Sequence, residues 1–154
     1  MRSRSAMGWA LVAAQGGILA AQASIPRGTD WPTPLWLRRI SAVAQVAGLA
    51  VVAVGARGLG PALTPSPLPT ENARLRQDGL YRHVRHPIYS GALMASGAGA
   101  VASGNRRQLG AAMLLVALLN YKARFEEAAL SERYPEYRAY AARTPRFVPR
   151  RTPA

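Results

Sequence analysis

The sequence predicts an all-α membrane protein of about four transmembrane helices followed by a C-terminal cytosolic helical segment, one polytopic domain over residues 1–154. Three observations lead there. Hydrophobic residues make up 49% of the chain and charged ones 18%, which excludes a disordered or fibrous polymer. The charges are segregated, leaving four long blocks with no ionisable side chain. Finally, 20 Lys and Arg against 7 Asp and Glu give a formal charge of +13, and threading the blocks through a bilayer gathers most of that charge on one face, as cytoplasmic loops do.

Taken in order, the blocks are Met7 to Ile25 with 19 residues, Ile40 to Ala56 with 17, Ile88 to Asn105 with 18 and Gln108 to Tyr121 with 14. A spanning helix needs roughly 20 predominantly apolar residues. The fourth block gains length if Lys122 and Arg124 run their stems along the helix and hold their charged heads in the interface. Spans are therefore expected at about 7–25, 40–56, 88–105 and 108–124, with a cytosolic tail at 126–154. All four blocks are rich in Ala and Gly, so buried helices of a soluble protein are the competing reading. The first block has a further rival, because a basic Met1 to Ser5, an apolar run and Ala21-Gln22-Ala23 also describe a cleavable signal.

With the N-terminus inside, the cytoplasmic portions hold fifteen Lys and Arg and the opposite side five, so both termini are expected in the cytoplasm of a bacterial-type inner membrane. Trp31 to Trp36, rich in Trp and Pro, suits the opposite interface.

Between the second and third blocks, Pro65, Pro67 and Pro69 alternate and predict a stiff, extended strip. The densest polar chemistry follows at Gly79 to Gly91, GLYRHVRHPIYSG. Pro87 suits the first turn of a helix, which places His86 at the cap. The free N–H groups of that turn, with Arg82, His83, Arg85 and His86, form an anion site for a carboxylate or phosphate. Lipid headgroups are the plainer use of the same arginines. A tight turn near Ser103 to Arg106 then sends the chain back over an equal length, so Glu126 and Glu127 emerge beside the basic loop. Adjacent helical residues point about 100° apart, so one of the two faces the pocket and the other serves solvent or an arginine. Lys122 is spaced to pair with Glu126. Gly91, Ala95 and Gly99 recur every four residues, for close helix packing or for a flat ligand. The tail reads as helix to about Ser131, a break at Pro135 and a short helix through Arg143, where Tyr134, Tyr137 and Tyr140 make an interfacial stripe or a pocket wall.

LTPSPLP at Leu63 to Pro69, GLYRHVRHPIYSG at Gly79 to Gly91 and EEAALSERYPEYRAYAARTPRFVP at Glu126 to Pro149 together resemble the isoprenylcysteine carboxyl methyltransferase and phospholipid methyltransferase superfamily, over roughly the second half of the chain. The resemblance implies a small polytopic enzyme that binds S-adenosyl-L-methionine at the cytosolic ends of its last helices and methylates an amphiphilic or prenylated acceptor from the bilayer. It carries over Arg85, His86, Pro87, Tyr89, Glu126 and Glu127 as cofactor-binding positions and Arg143 as the catalytic residue that holds an acceptor carboxylate. A glycine element of the family corresponds to Gly58-Leu59-Gly60 or to Gly97-Ala98-Gly99. The chain departs from larger relatives in its fewer spans and in a first half without a motif for a prenyl group, so the acceptor stays open.

Two other classes compete: a nicotinamide-dependent reductase of the steroid reductase type, and a non-enzymatic basic adaptor whose arginines act additively on anionic lipid. Zero cysteines and two histidines argue against a metal centre. Interspersed apolar blocks argue against nucleic acid as a partner.

Overall fold

A computed structural model describes residues 2–60, 63–64 and 74–150. The expected proline strip at Pro65 to Pro69 lies outside the described residues. Among those described, five α-helices and no strand occur: α1 (Arg2–Ser24), α2 (Leu35–Leu59), α3 (Pro87–Ser103), α4 (Arg106–Arg133) and α5 (Tyr137–Arg143). A 3₁₀ turn, Gly79–Arg82, precedes α3. Two helices, Ser3–Ser24 and Leu35–Leu59, are long and apolar enough to cross a membrane.

Local chemistry accounts for the boundaries. Pro34, in extended backbone, precedes α2, which therefore starts five residues before the charge-free block and takes Arg38 and Arg39 into its first turns. Pro87 opens α3, where its missing N–H leaves nothing unsatisfied. Gly104 ends α3 with φ 66°, a left-handed conformation that favours glycine. Asn105 then caps α4, its side chain accepting from the Arg107 amide at 2.9 Å. Pro135 falls in the break between α4 and α5.

Laterally the helices pack in the order α2, α3, α4, α1. The contact of α2 with α3 is the most extensive, and small residues make it possible. Ser41, Gly48 and Gly55, seven apart, are the buried residues of α2. A Cβ on Gly48 would sit 2.6 Å from the Gly91 carbonyl oxygen and 2.8 Å from the Ala95 amide. Gly91 and Ala95 thus serve helix packing. Leu115 and Leu119, fully buried, fill the α4 side of the bundle.

The connector after α1 clasps the α3–α4 turn. Gly28 and Asp30 amides donate to the carbonyls of Ser103 and Gly104, each at 2.8 Å, and the Asp30 carboxylate accepts from the Arg106 amide at 2.6 Å. At the other end, the chain after α5 pairs with the loop before α3: the Arg85 amide donates to the Pro145 carbonyl at 2.9 Å and the His86 amide to that of Arg146 at 3.1 Å. This second clasp builds the site.

Candidate functional site

The α3–α4 hairpin returns the chain in register, so the first turn of α3 lies beside Glu126 and Glu127. Glu127, largely buried, is a hub. Its Oε1 accepts from Arg85 Nε at 3.1 Å, Arg85 Nη2 at 3.0 Å and Arg146 Nε at 2.9 Å, and lies 3.0 Å from His86 Nε2; its Oε2 accepts from Arg146 Nη2 at 2.6 Å. Burial pushes the Glu127 carboxyl up, but hydrogen bonds from His86 and Arg146 and the nearby charges of His86 and Arg85 outweigh it and hold the group well below the usual carboxylate range.

That direction has a consequence for stability. A carboxyl depressed by folding contributes stability in full above its ordinary value of 4.5 and loses it as pH falls through the folded value. The purified protein is therefore expected to melt at a constant temperature from pH 7 to about 5 and at falling temperatures below about 4.5. Glu127→Gln should flatten that acid limb; a limb of the same steepness in the variant would remove the hub as its cause.

Arg85 is spent in the same hub. Its Nη1 also donates to the carbonyls of Ala141 at 2.7 Å and Thr144 at 2.6 Å, which ties α5 to the loop. The anion site expected from Arg82, His83, Arg85 and His86 is accordingly altered: Arg85 is committed to Glu127 and two carbonyls, while Arg82 and His83 are exposed to solvent. An internal carboxylate has taken the place reserved for a ligand.

Glu126, the other acid, is differently placed. Its Oε2 accepts from the Tyr89 hydroxyl at 3.0 Å and lies 3.6 Å from His86 Nδ1. The His86 and Tyr89 rings stack in parallel, 5.2 Å apart and 3° from coplanar, with Phe147 tilted against His86 at 5.9 Å. This stacked pair and Glu126 form one side of a cavity of about 420 Å³ between the middle of α1, the end of α2, the start of α3 and the second half of α4. Leu59, Leu63, Tyr81 and Ile88 make its apolar wall. Gln15 of α1 and Lys122 of α4 complete it.

Lys122 departs from expectation. It does not extend to an interface and makes no ion pair with Glu126; it is 4% exposed, donates to Gln15 Oε1 at 2.8 Å and lies 5.4 Å from the Tyr89 ring centroid. The α1 helix intercepts it, because that helix packs on α4 at this level. Arg124, two residues on, is exposed.

Of the residues singled out from sequence, Arg85, His86, Tyr89, Glu126 and Glu127 come together, and Pro87 lies buried beneath them against Gly55. Arg143 does not join them. It is exposed, donates to Gln77 Oε1 at 2.5 Å and stacks on the Tyr140 ring at 5.8 Å. The tail arginine that reaches Glu127 is Arg146, three residues later, carried there by the pairing of residues 145–146 with 85–86. Gln15, Lys122 and Arg146 were missed as site residues. Lys122 carried a signal, a cation one turn before paired acids; Gln15 and Arg146 carried none without the fold.

Two of the tail tyrosines pack inward rather than forming a surface stripe. Tyr137 and Tyr140 are buried, edge to face at 5.9 Å. Tyr140 donates to the Tyr81 carbonyl at 2.6 Å, and Tyr81 to the Gly55 carbonyl at 3.3 Å, which joins α5, the 3₁₀ turn and α2. Burial pushes the Tyr140 hydroxyl up to about 12 against the pull of Arg85 and Arg143, so it remains a donor at neutral pH. Of the two glycine elements, Leu59 of Gly58-Leu59-Gly60 lines the cavity, whereas Gly99 of Gly97-Ala98-Gly99 lines a different one at the far end of α3.

Compared with protein-family models and with curated proteins, the chain matches none.

Proposed function

We propose that the protein is a membrane-embedded methyltransferase that uses S-adenosyl-L-methionine and acts on an amphiphilic acceptor, with a carboxylate as the methylated group, as in isoprenylcysteine carboxyl O-methylation. The observation that carries this reading is that Lys122 and Glu126 both line one cavity beside the stacked His86 and Tyr89 rings.

The donor set fits that cofactor. Lys122 is a buried cation whose hydrogen-bond partner, Gln15, is neutral and on which Glu126 acts without forming an ion pair, and a buried charge lacking a direct counter-ion is costly unless a ligand supplies one. An amino acid carboxylate does so. Glu126, bonded to a neutral hydroxyl, offers its negative charge to an ammonium or sulfonium. The Tyr89 face adds attraction for a cation, and Leu59, Leu63 and Ile88 shelter a planar base from water. A volume of about 420 Å³ lies within the range of small-molecule sites.

When bound, the cofactor supplies an electrophilic methyl group on sulfur. The chain's own residues position and exclude water; they do not need to deprotonate an acceptor that is already a carboxylate. Both ring nitrogens of His86 face carboxylates, Nε2 at 3.0 Å from Glu127 and Nδ1 at 3.6 Å from Glu126.

In this reading α3 and α4 cross the bilayer with α1 and α2, both termini lie in the cytoplasm of an inner membrane, and the cavity opens at the cytoplasmic surface. Support comes from the apolar side chains that face outward: Ile40, Val43, Val46 and Leu49 on α2, Val101 on α3, and Met113 and Leu114 on α4 are all exposed. Such a belt is unfavourable in water and at home in lipid.

The competing nicotinamide reading asks the cavity to receive several phosphate charges, and among the described residues Lys122 is the one cavity-lining Lys or Arg not already bound to an acid. Calorimetry of the detergent-solubilised protein is expected to give a saturating heat with S-adenosylmethionine and none with NADPH. Heat with NADPH alone would reverse the assignment, and silence with both would favour the adaptor.

A further inference from the structure

At the far end of the bundle a second cavity, of about 410 Å³, opens between α1 and α2 above α3 and α4. It is a separate site: Gln108, which lines it, and Glu126 are eighteen residues apart on α4, or about 27 Å along the axis. Four helices contribute polar side chains, Gln22 from α1, Gln45 from α2, Ser96 from α3 and Gln108 from α4, and Arg27 stands at the rim.

Part of this polarity holds the helices together. Gln22 exchanges hydrogen bonds with Ser96, at 2.8 Å to the side chain and 3.2 Å to the backbone, and Gln108 Nε2 donates to the carbonyls of Gln22 and Ile25. Gln45, half-buried, and Arg27, exposed at the rim, have no such use: neither makes a hydrogen bond or an ion pair among the described residues. The Gln45 amide rests on Gly99, in space that any side chain there would occupy. An amide placed mid-helix in an apolar segment and left without a partner marks a ligand or a pathway more than a structural tie.

The chemistry of that ligand follows from the groups left over. Arg27 presents a planar fork suited to phosphate. Gln45 offers both a donor and an acceptor, and Gln108 Oε1 a further acceptor, a combination that hydroxyl groups satisfy. No carboxylate lines the cavity among the described residues, so an ammonium head finds no counter-charge. Leu19 lines it while remaining exposed on its outer side, where a hydrocarbon chain can lie. We propose that this cavity binds the head group of an anionic lipid, a phosphodiester of a small polyol, with the phosphate on Arg27 and the hydroxyls on Gln45 and Gln108.

Native mass spectrometry of the detergent-solubilised full chain tests this with phosphatidylglycerol, phosphatidic acid, phosphatidylcholine and free glycerol phosphate. Phosphatidylglycerol is expected to be retained at least about tenfold more tightly than phosphatidylcholine. Arg27→Gln should abolish that preference. Gln45→Met should lower phosphatidylglycerol to the level of phosphatidic acid, which lacks the polyol, and Gln45→Ala makes the same test if methionine crowds Gly99. Unchanged melting temperatures in the absence of lipid show that the variants are folded. Equal retention of phosphatidylglycerol and phosphatidylcholine, or wild-type retention by the Arg27 and Gln45 variants, overturns the proposal. Free glycerol phosphate saturating at the same concentration as the lipid overturns the lipid as its source.

Discussion

Glu127→Gln is expected to lower the melting temperature of the detergent-solubilised protein by roughly 10 °C. The substitution keeps the shape and removes the charge on which Arg85, Arg146 and His86 converge. Removing one partner of a buried ion pair costs about 3–5 kcal/mol, because the remaining charge stays buried without compensation, and for a chain of this size each kcal/mol moves the midpoint by about 2–4 °C. The damage should spread, since Arg85 also holds the carbonyls of Ala141 and Thr144 and hence the end of α5. Differential scanning fluorimetry checks it. A variant that melts within about 2 °C of the wild type would show that the hub contributes little.

The second large effect concerns binding. Lys122→Met and Glu126→Gln are each expected to weaken S-adenosylmethionine by about 10–100-fold, the range set by losing a hydrogen bond to a charged group worth about 1.5–3 kcal/mol. Neither should destabilise the fold. Lys122 is a buried cation bonded to a neutral amide, so an apolar side chain of similar length should leave the melting temperature unchanged or raise it. Stability and affinity moving in opposite directions is the signature of a charge kept for a ligand. Calorimetry and melting on the same preparations read both, and wild-type affinity in the two variants would place the donor elsewhere.

The two acids therefore have separate duties although they are neighbours in sequence. Helical geometry predicts that they diverge by about 100°; it does not say which one turns to the cavity. That choice depends on Arg146, which arrives through the pairing of residues 145–146 with 85–86 and claims Glu127. The resemblance carried the tail arginine over to Arg143, in the Tyr140 to Pro145 stretch, whereas the backbone pairing puts Arg146 at the hub and leaves Arg143 on the surface.

Much of the architecture was legible from local signals. Pro87 as the first residue of α3, the turn at Ser103 to Arg106, the break at Pro135 and the short helix through Arg143 each follow from one residue's backbone restriction or from the spacing of apolar runs. The return of α4 to the start of α3 follows from equal lengths. One further signal was available: Ser41, Gly48 and Gly55 recur every seven residues as the buried residues of α2, and Gly48 and Gly55 lie against α3, where Gly48 meets the small-residue stripe.

By itself the sequence determined the helices, the hairpin and the nearness of Glu126 and Glu127 to the basic loop, because those depend on chain length, charge spacing and the conformational limits of proline and glycine. Only the tertiary structure decided which charges are neutralised and which face a cavity. Gln15 reaches Lys122 from a helix more than a hundred positions away, and Arg146 reaches Glu127 through a backbone pairing of two loops, and neither partnership has a local signature. A charge's role is set by its burial and its nearest counter-charge, and both are properties of packing rather than of the order of residues.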